Sequence, residues 1–189
     1  MIMDSIEQII GYHCAPTIRG IKIANLVSIP QEMSAQLCKI INDYNFQFNE
    51  KGLYFFPLCA CKERRLLLVF RKKQLEEYVR QHQHIGFLSM YGYQEDDPLE
   101  ALLLHLRHRM ETEMSFPHEI GLFLGYPLDD VIHFIASKGQ NYQLCGEWKV
   151  YHHAISAQHS FHCFKICREY CHQQLVNGKS FSSLVAKTA

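Results

Sequence analysis

The chain has no net charge: 19 Lys and Arg balance 19 Asp and Glu over 189 residues. It therefore lacks the whole-molecule field that draws a protein to nucleic acid or to an anionic lipid surface. Long apolar runs are also missing. The longest, residues 66–70, suits a strand and falls far short of the roughly 20 residues that cross a bilayer. The start, MIMDSIEQII, has an early acidic residue and no basic cluster ahead of an apolar run, so it does not read as a secretory signal. The expectation is a cytoplasmic protein with no membrane association. No Cys-x-x-Cys pair, Gly-x-Gly-x-x-Gly turn or Walker loop occurs. Those gaps remove the usual signatures of a zinc ribbon and of a phosphate cradle.

What is present points to a packed globular protein. Hydrophobic residues make up 48% and charged residues 20%, enough apolar content for a real core. Cys occurs eight times and His 12 times. In a chain without an export signal those cysteines are expected as reduced thiols, so metal and redox chemistry has to be weighed. Apolar spacing predicts a helix over 5–13, with Ile6, Ile9 and Ile10 on one face and Asp4 or Ser5 as its cap. A short strand is expected within 21–29, then a helix from Pro30 to about Phe46. Residues 53–61 and 66–70 read as an antiparallel hairpin, and its basic ends, including 71–73, as a solvated edge. Helices follow over 74–90, 99–110 and 153–176. The fold class is α+β in one domain: a small, mostly antiparallel sheet from the 53–70 hairpin and the 141–151 segment, packed by six or seven helices.

Residues 116–151 hold the single Trp and closely spaced Pro and Gly. Pro117 and Glu119 open one short helix, Gly125 stops it, and Pro127, Asp129 and Asp130 open the next. The pair resembles a helix-turn-helix corner, with small Gly121, turn Gly125 and apolar Val131 at places such a corner uses. Asp129 and Asp130 would meet phosphates with the wrong sign, so DNA binding is not expected. After the corner, 141–151 reads as a hairpin or bulged strand anchored by Trp148.

PHEIGLFLGYPLDDVIHFI followed by CGEWKVY, together with the early CAPTIRGIK, resembles a bacterial family of unknown function, number 3793 among such domains. The resemblance covers nearly the whole chain. It implies a stand-alone cytoplasmic protein and transfers no catalytic residue. It marks Cys14, Pro16, Thr17, Lys22, Pro117, His118, Glu119, Gly121, Gly125, Tyr126, Pro127, Asp130, Gly146, Trp148 and Lys149 as motif positions.

Three residue sets are candidates for chemistry. Cys14, His118 and Glu119 supply a thiol, an imidazole and a carboxylate, the parts of a nucleophile, a base and an orienting group. The plainer alternative is a buried Cys and a helix start whose Glu119 complements the dipole. His159, Cys163, Cys167 and Cys171 recur every four residues on one helix face. Spread over about 18 Å at roughly 1.5 Å per residue, they cannot all reach one ion, so a metal site would use an adjacent pair with partners such as Cys59 and Cys61. The alternative is small thiols filling an interface. Tyr126, Trp148 and Lys149, with Lys22, are the candidate ligand-binding residues: Trp148, Lys149 and neighbouring tyrosines would clamp a flat anion, or else serve as core anchors. The leading functional expectation is a non-enzymatic binding or regulatory protein with a small-molecule or protein partner. The alternatives are a thiol- or metal-dependent protein and a Cys14-dependent enzyme. No cofactor is specified by any motif.

Overall fold

The computed structural model describes residues 5–60, 64–113 and 115–186. In chain order the elements are α1 (Ile6–His13), α2 (Ala15–Ile18), β1 (Ala24–Pro30), α3 (Ser34–Phe48), β2 (Leu53–Ala60), β3 (Arg64–Arg71), α4 (Lys72–Val79), α5 (His82–Ser89), α6 (Leu99–Thr112), α7 (Ile120–Phe123), α8 (Leu128–Ala136), β4 (Leu144–Cys145), β5 (Lys149–Val150), α9 (Ala154–Val176) and α10 (Phe181–Leu184). The α+β class is as expected. The extra helices among the described residues are the single turns α2 and α10, too short to leave a periodic signal, and the one gained where the expected 74–90 helix divides. None of the described helices is long and apolar enough to cross a membrane. Contacts group the chain into two compact units. The first combines the chain up to Leu75 with Cys167 onward, and the second is Glu76–Ile166.

The first unit carries a three-stranded antiparallel sheet in the order β1-β3-β2. β3 pairs with β1 from Ala24↔Phe70 to Pro30↔Arg64, and with β2 from Leu53↔Arg71 to Ala60↔Arg65, with a bulge between Pro57 and Cys59. The central place of β3 explains its unbroken apolar run. Leu67, Leu68, Val69 and Phe70 are all buried, so neither face of the strand alternates to polar. The 53–70 hairpin stands as expected. The 141–151 segment does not join it: β4 and β5 form a separate two-stranded sheet, and β1 is the third strand instead. Ile6, Ile10, Ile18, Val27, Ile29, Leu37, Ile41, Leu67 and Val69 form the core of this unit. Ser5 caps α1, its hydroxyl accepting from Gln8 N; Asp4, the other cap candidate, lies outside the described residues.

Arg71 overturns the expectation of a solvated basic edge at the end of β3. It is fully buried. Its guanidinium donates to the carbonyls of Thr17 (2.8 Å), Lys51 (3.0 Å), Ala186 (3.1 Å) and Ile18. Thr17 and Ile18 lie at the C-terminal end of α2, where unpaired carbonyls favour a cation. A strand-end arginine thus ties α2, the loop before β2 and the C-terminal segment together.

In the second unit the expected 74–90 helix breaks into α4 and α5. Gln81 is extended (φ −57°, ψ 134°), and His84 Nδ1 meets Tyr78 O at 2.7 Å across the break. α6 starts directly after Asp96-Asp97-Pro98, with Leu99, Leu102, Leu103 and Leu106 on its buried face.

Candidate functional site

The corner at 119–131 is built by two glycines used differently. Gly125 has φ +74°, which ends α7. Tyr126 N donates to Gly121 O (2.9 Å) and Gly125 N to Leu122 O (3.0 Å), a left-handed helix stop. Gly121 serves close approach: a Cβ there would lie 2.7 Å from Val131 Cγ2 and 3.3 Å from Tyr126 Cδ2. Gly121 and Val131 were marked in the sequence as corner residues, and the structure adds that they meet. Gly121→Ala is expected to destabilise the protein by about 1–3 kcal/mol through overpacking, read as a lowered thermal midpoint.

Asp130 turns away from solvent and becomes the anchor of the following hairpin. It is 2% exposed. Oδ2 accepts from Trp148 Nε1 (2.7 Å), and Oδ1 accepts from the main-chain N–H of Tyr151 (2.8 Å) and of His152 (3.0 Å). The indole of Trp148 lies between two rings, stacked on Tyr126 (5.1 Å, 27°) and edge-on to Phe161 (4.6 Å, 84°). Gly146 makes room for this packing, because a Cβ there would come 2.2 Å from Phe161 Cε2. Tyr126 OH donates to Glu147 O (3.0 Å), and its carbonyl accepts from Tyr78 OH (2.8 Å). Burial raises the Tyr126 phenol above its ordinary pKa, with the Glu147 charge adding to the effect. Lys149 Nζ donates to Gly139 O (2.6 Å) and sits over the ring of Tyr142 at 4.9 Å. Tyr126 and Trp148 are therefore in contact, and the polar atoms of Tyr126, Trp148 and Lys149 are directed at this chain's own groups.

Glu119 occupies a second buried setting in the same unit. It is 1% exposed. Oε1 accepts from Arg109 Nε (2.5 Å) and Tyr93 OH (3.3 Å), while Arg109 also pairs with Glu113 (2.5 Å). Arg109 lies over the Tyr91 ring at 5.2 Å. Burial raises the pKa of Tyr93, and the Glu119 charge raises it further. The neighbouring His118 is exposed, with Phe134 edge-on at 5.0 Å. Adjacent in sequence, the two side chains serve different surroundings.

Cys14 belongs to the first unit, in its core with α1, α2 and Cys171. Burial pushes its thiol up to about 12, against the opposing charges of Lys22 and Arg168. At neutral pH it is a thiol, whereas the reactive species of cysteine is the thiolate. Lys22 is buried, and Nζ donates to Ala24 O (2.8 Å). Beside it, Thr17 Oγ1 donates to Asn25 Oδ1 (2.8 Å).

The thiol stripe of α9 divides into two pairs. In the second unit His159 Nε2 and Cys163 Sγ are 3.7 Å apart on the exposed surface. In the first unit Cys167 is half-buried and Cys171 fully buried. The Cys171 thiol donates to Cys167, which lowers the Cys167 pKa below its ordinary value; burial opposes this, and Arg19 and Arg168 reinforce it. The same hydrogen bond and burial raise the Cys171 pKa. Cys61 lies outside the described residues, and the side chain of Cys59 is not among those described. Among the described residues no three His, Cys, Asp or Glu side chains group to hold a metal ion.

Cys14 and Glu119 were candidates from the sequence, whereas the burial of Arg71 and the pairing of Arg109 with Glu119 were not foreseen. Arg109 sits on a helix of mixed charge, where nothing local separates an inward arginine from a solvated one. Asp130 was flagged as a helix-start acid, and its distance from Trp148 in sequence hid the bond between them.

A family model described as "Protein of unknown function (DUF3793)" matches residues 10–185. No curated protein matches the chain, and no solved structure does.

Proposed function

The chain belongs to the DUF3793 family, and we propose that it is a cytoplasmic, non-enzymatic regulatory protein whose responsive element is the Cys167–Cys171 pair. One observation carries this reading. Half-buried Cys167 lies one helix turn from buried Cys171, and the Cys171 thiol with the charges of Arg19 and Arg168 lowers its pKa below the ordinary value against burial. Such surroundings favour the thiolate of a cysteine that solvent can reach. A peroxide is the class of oxidant it would meet. The thiolate electron pair attacks one peroxide oxygen, the O–O bond breaks, and hydroxide leaves. Cys167 becomes a sulfenic acid, oxidised by two electrons, and the peroxide is reduced by two. The bond from Cys171 is altered at the edge of a core that also contains Cys14, which is how oxidation would change what a protein or small-molecule partner binds.

The non-enzymatic part rests on the motif residues of the second unit. Glu119, Tyr126, Asp130, Trp148 and Lys149 each direct polar atoms at this chain's own groups. Nucleic acid is not part of the proposal, because the first turn of α8 carries Asp129 and Asp130.

Iodoacetamide labelling of the reduced, full-length chain at stepped pH, read by peptide mass, tests the pair. Cys167 is expected to label with a midpoint below the ordinary thiol value of 9.0. Cys171→Ala should move that midpoint up, and Cys171→Ser, which keeps a donor, should restore part of the shift. Cys14 should stay unlabelled until the chain unfolds. A Cys167 midpoint equal to that of exposed Cys38, and indifferent to position 171, would sink the proposal.

A further inference from the structure

His133 and His152 meet on the exposed side of the Asp130 corner. His133 lies on α8, and His152 follows β5 immediately after Tyr151. His133 Nδ1 is 3.2 Å from His152 Nε2 and 2.8 Å from the main-chain oxygen of Asp129. The rings are 4.5 Å apart at 72°. The backbone fixes this approach: His152 N is held by Asp130 Oδ1 at 3.0 Å, and His133 stacks on Tyr151 at 5.8 Å and 28°.

The Asp129 carbonyl can only accept, so a proton on His133 Nδ1 is directed at it or at His152 Nε2, whereas Nδ1 without a proton can accept only from His152. With the His133 proton on Nε2, a metal ion between Nδ1 and His152 Nε2 bonds both nitrogens at once. Two imidazole nitrogens bound to one ion at about 2.1 Å stand about 3.0 Å apart at a right angle and about 3.4 Å apart at the tetrahedral angle. The observed 3.2 Å falls between these limits. Both side chains are exposed, so an ion enters after a small ring rotation and without opening the fold.

We propose that His133 Nδ1 and His152 Nε2 form a two-ligand site for a divalent first-row transition-metal ion, with water completing the coordination. Imidazole donors select nickel, copper or zinc over magnesium or calcium. Occupation ties α8 to the segment after β5, the same two elements that Asp130 joins. The site is separate in residues and chemistry from the Cys167–Cys171 pair, and its failure leaves that pair untouched.

The only tryptophan supplies the readout. Trp148 is bonded to the same carboxylate that holds His152 N, so an open-shell ion at the histidines quenches its fluorescence. Nickel ion alone, titrated into the full reduced chain in thiol-free buffer, should give saturable quenching. His133→Gln and His152→Gln should each weaken it at least ten-fold, with circular dichroism unchanged because both residues are exposed. Cys163→Ser and His159→Gln should leave the curve as in the parent. A second measurement uses the parent alone: nickel should broaden the ring-proton signals of His133 and His152 first. Absence of saturable quenching, parent-like curves from both histidine variants, or loss of quenching in Cys163→Ser would each overturn the assignment.

Discussion

Asp130→Ala is expected to destabilise the protein by about 4 kcal/mol, seen as a lower midpoint in urea unfolding with a red-shifted Trp148 emission in the folded baseline. The side chain is buried and accepts from the Trp148 indole, Tyr151 N and His152 N. Hydrogen bonds to a charged group contribute about 1.5–3 kcal/mol each, and stranded buried donors cost about 1–3 kcal/mol each, without simple additivity. Alanine offers no acceptor, and the hairpin start loses its fixed point. Asp130→Asn keeps one oxygen but turns an N–H₂ toward a donor, so about half the loss is expected. Trp148→Phe removes the donor to Asp130 Oδ2 but leaves both main-chain donors on Oδ1 and a ring between Tyr126 and Phe161, so it should cost least. If Asp130→Ala unfolds at the same urea concentration as Trp148→Phe, the carboxylate is not the anchor.

Arg109→Met is expected to cost about 3–5 kcal/mol, because it leaves the Glu119 carboxylate buried without its cation. Arg109→Met with Glu119→Leu should recover much of that loss, since an apolar pair of similar volume removes the stranded charge. A double variant no more stable than Arg109→Met alone would assign the loss to packing rather than to the stranded charge.

Local signals in the chain were read correctly where one element carries its own explanation. The helix of Ile6, Ile9 and Ile10, the Gly125 stop and the 53–70 hairpin all depend on spacing or on a single special residue. Gly121 and Val131 were recognisable as corner residues, but their contact was not read from the sequence. What stayed hidden depends on partners far apart in sequence. Arg71 has the same type and neighbourhood as a solvated strand-end cation; only the carbonyls of Thr17, Ile18, Lys51 and Ala186 make it internal. The 141–151 segment was assigned to the main sheet, but strands of two residues carry no alternation that names a neighbour. The every-fourth-residue stripe of α9 was visible, yet its division into an exposed His159–Cys163 pair and a Cys167–Cys171 pair beside arginines was not. Period places residues on one face and says nothing of the charges brought to it.

The most direct test of the account is a competition among the thiols of one molecule. The reduced, full-length chain is exposed briefly to limiting hydrogen peroxide, sulfenic acids are trapped with a dimedone-type reagent, and the cysteine peptides are counted by mass. Cys167 is expected to be trapped well ahead of exposed Cys38 and Cys145, with Cys14 untouched. Trapping that follows exposure alone, with Cys38 and Cys145 ahead of Cys167, would contradict it.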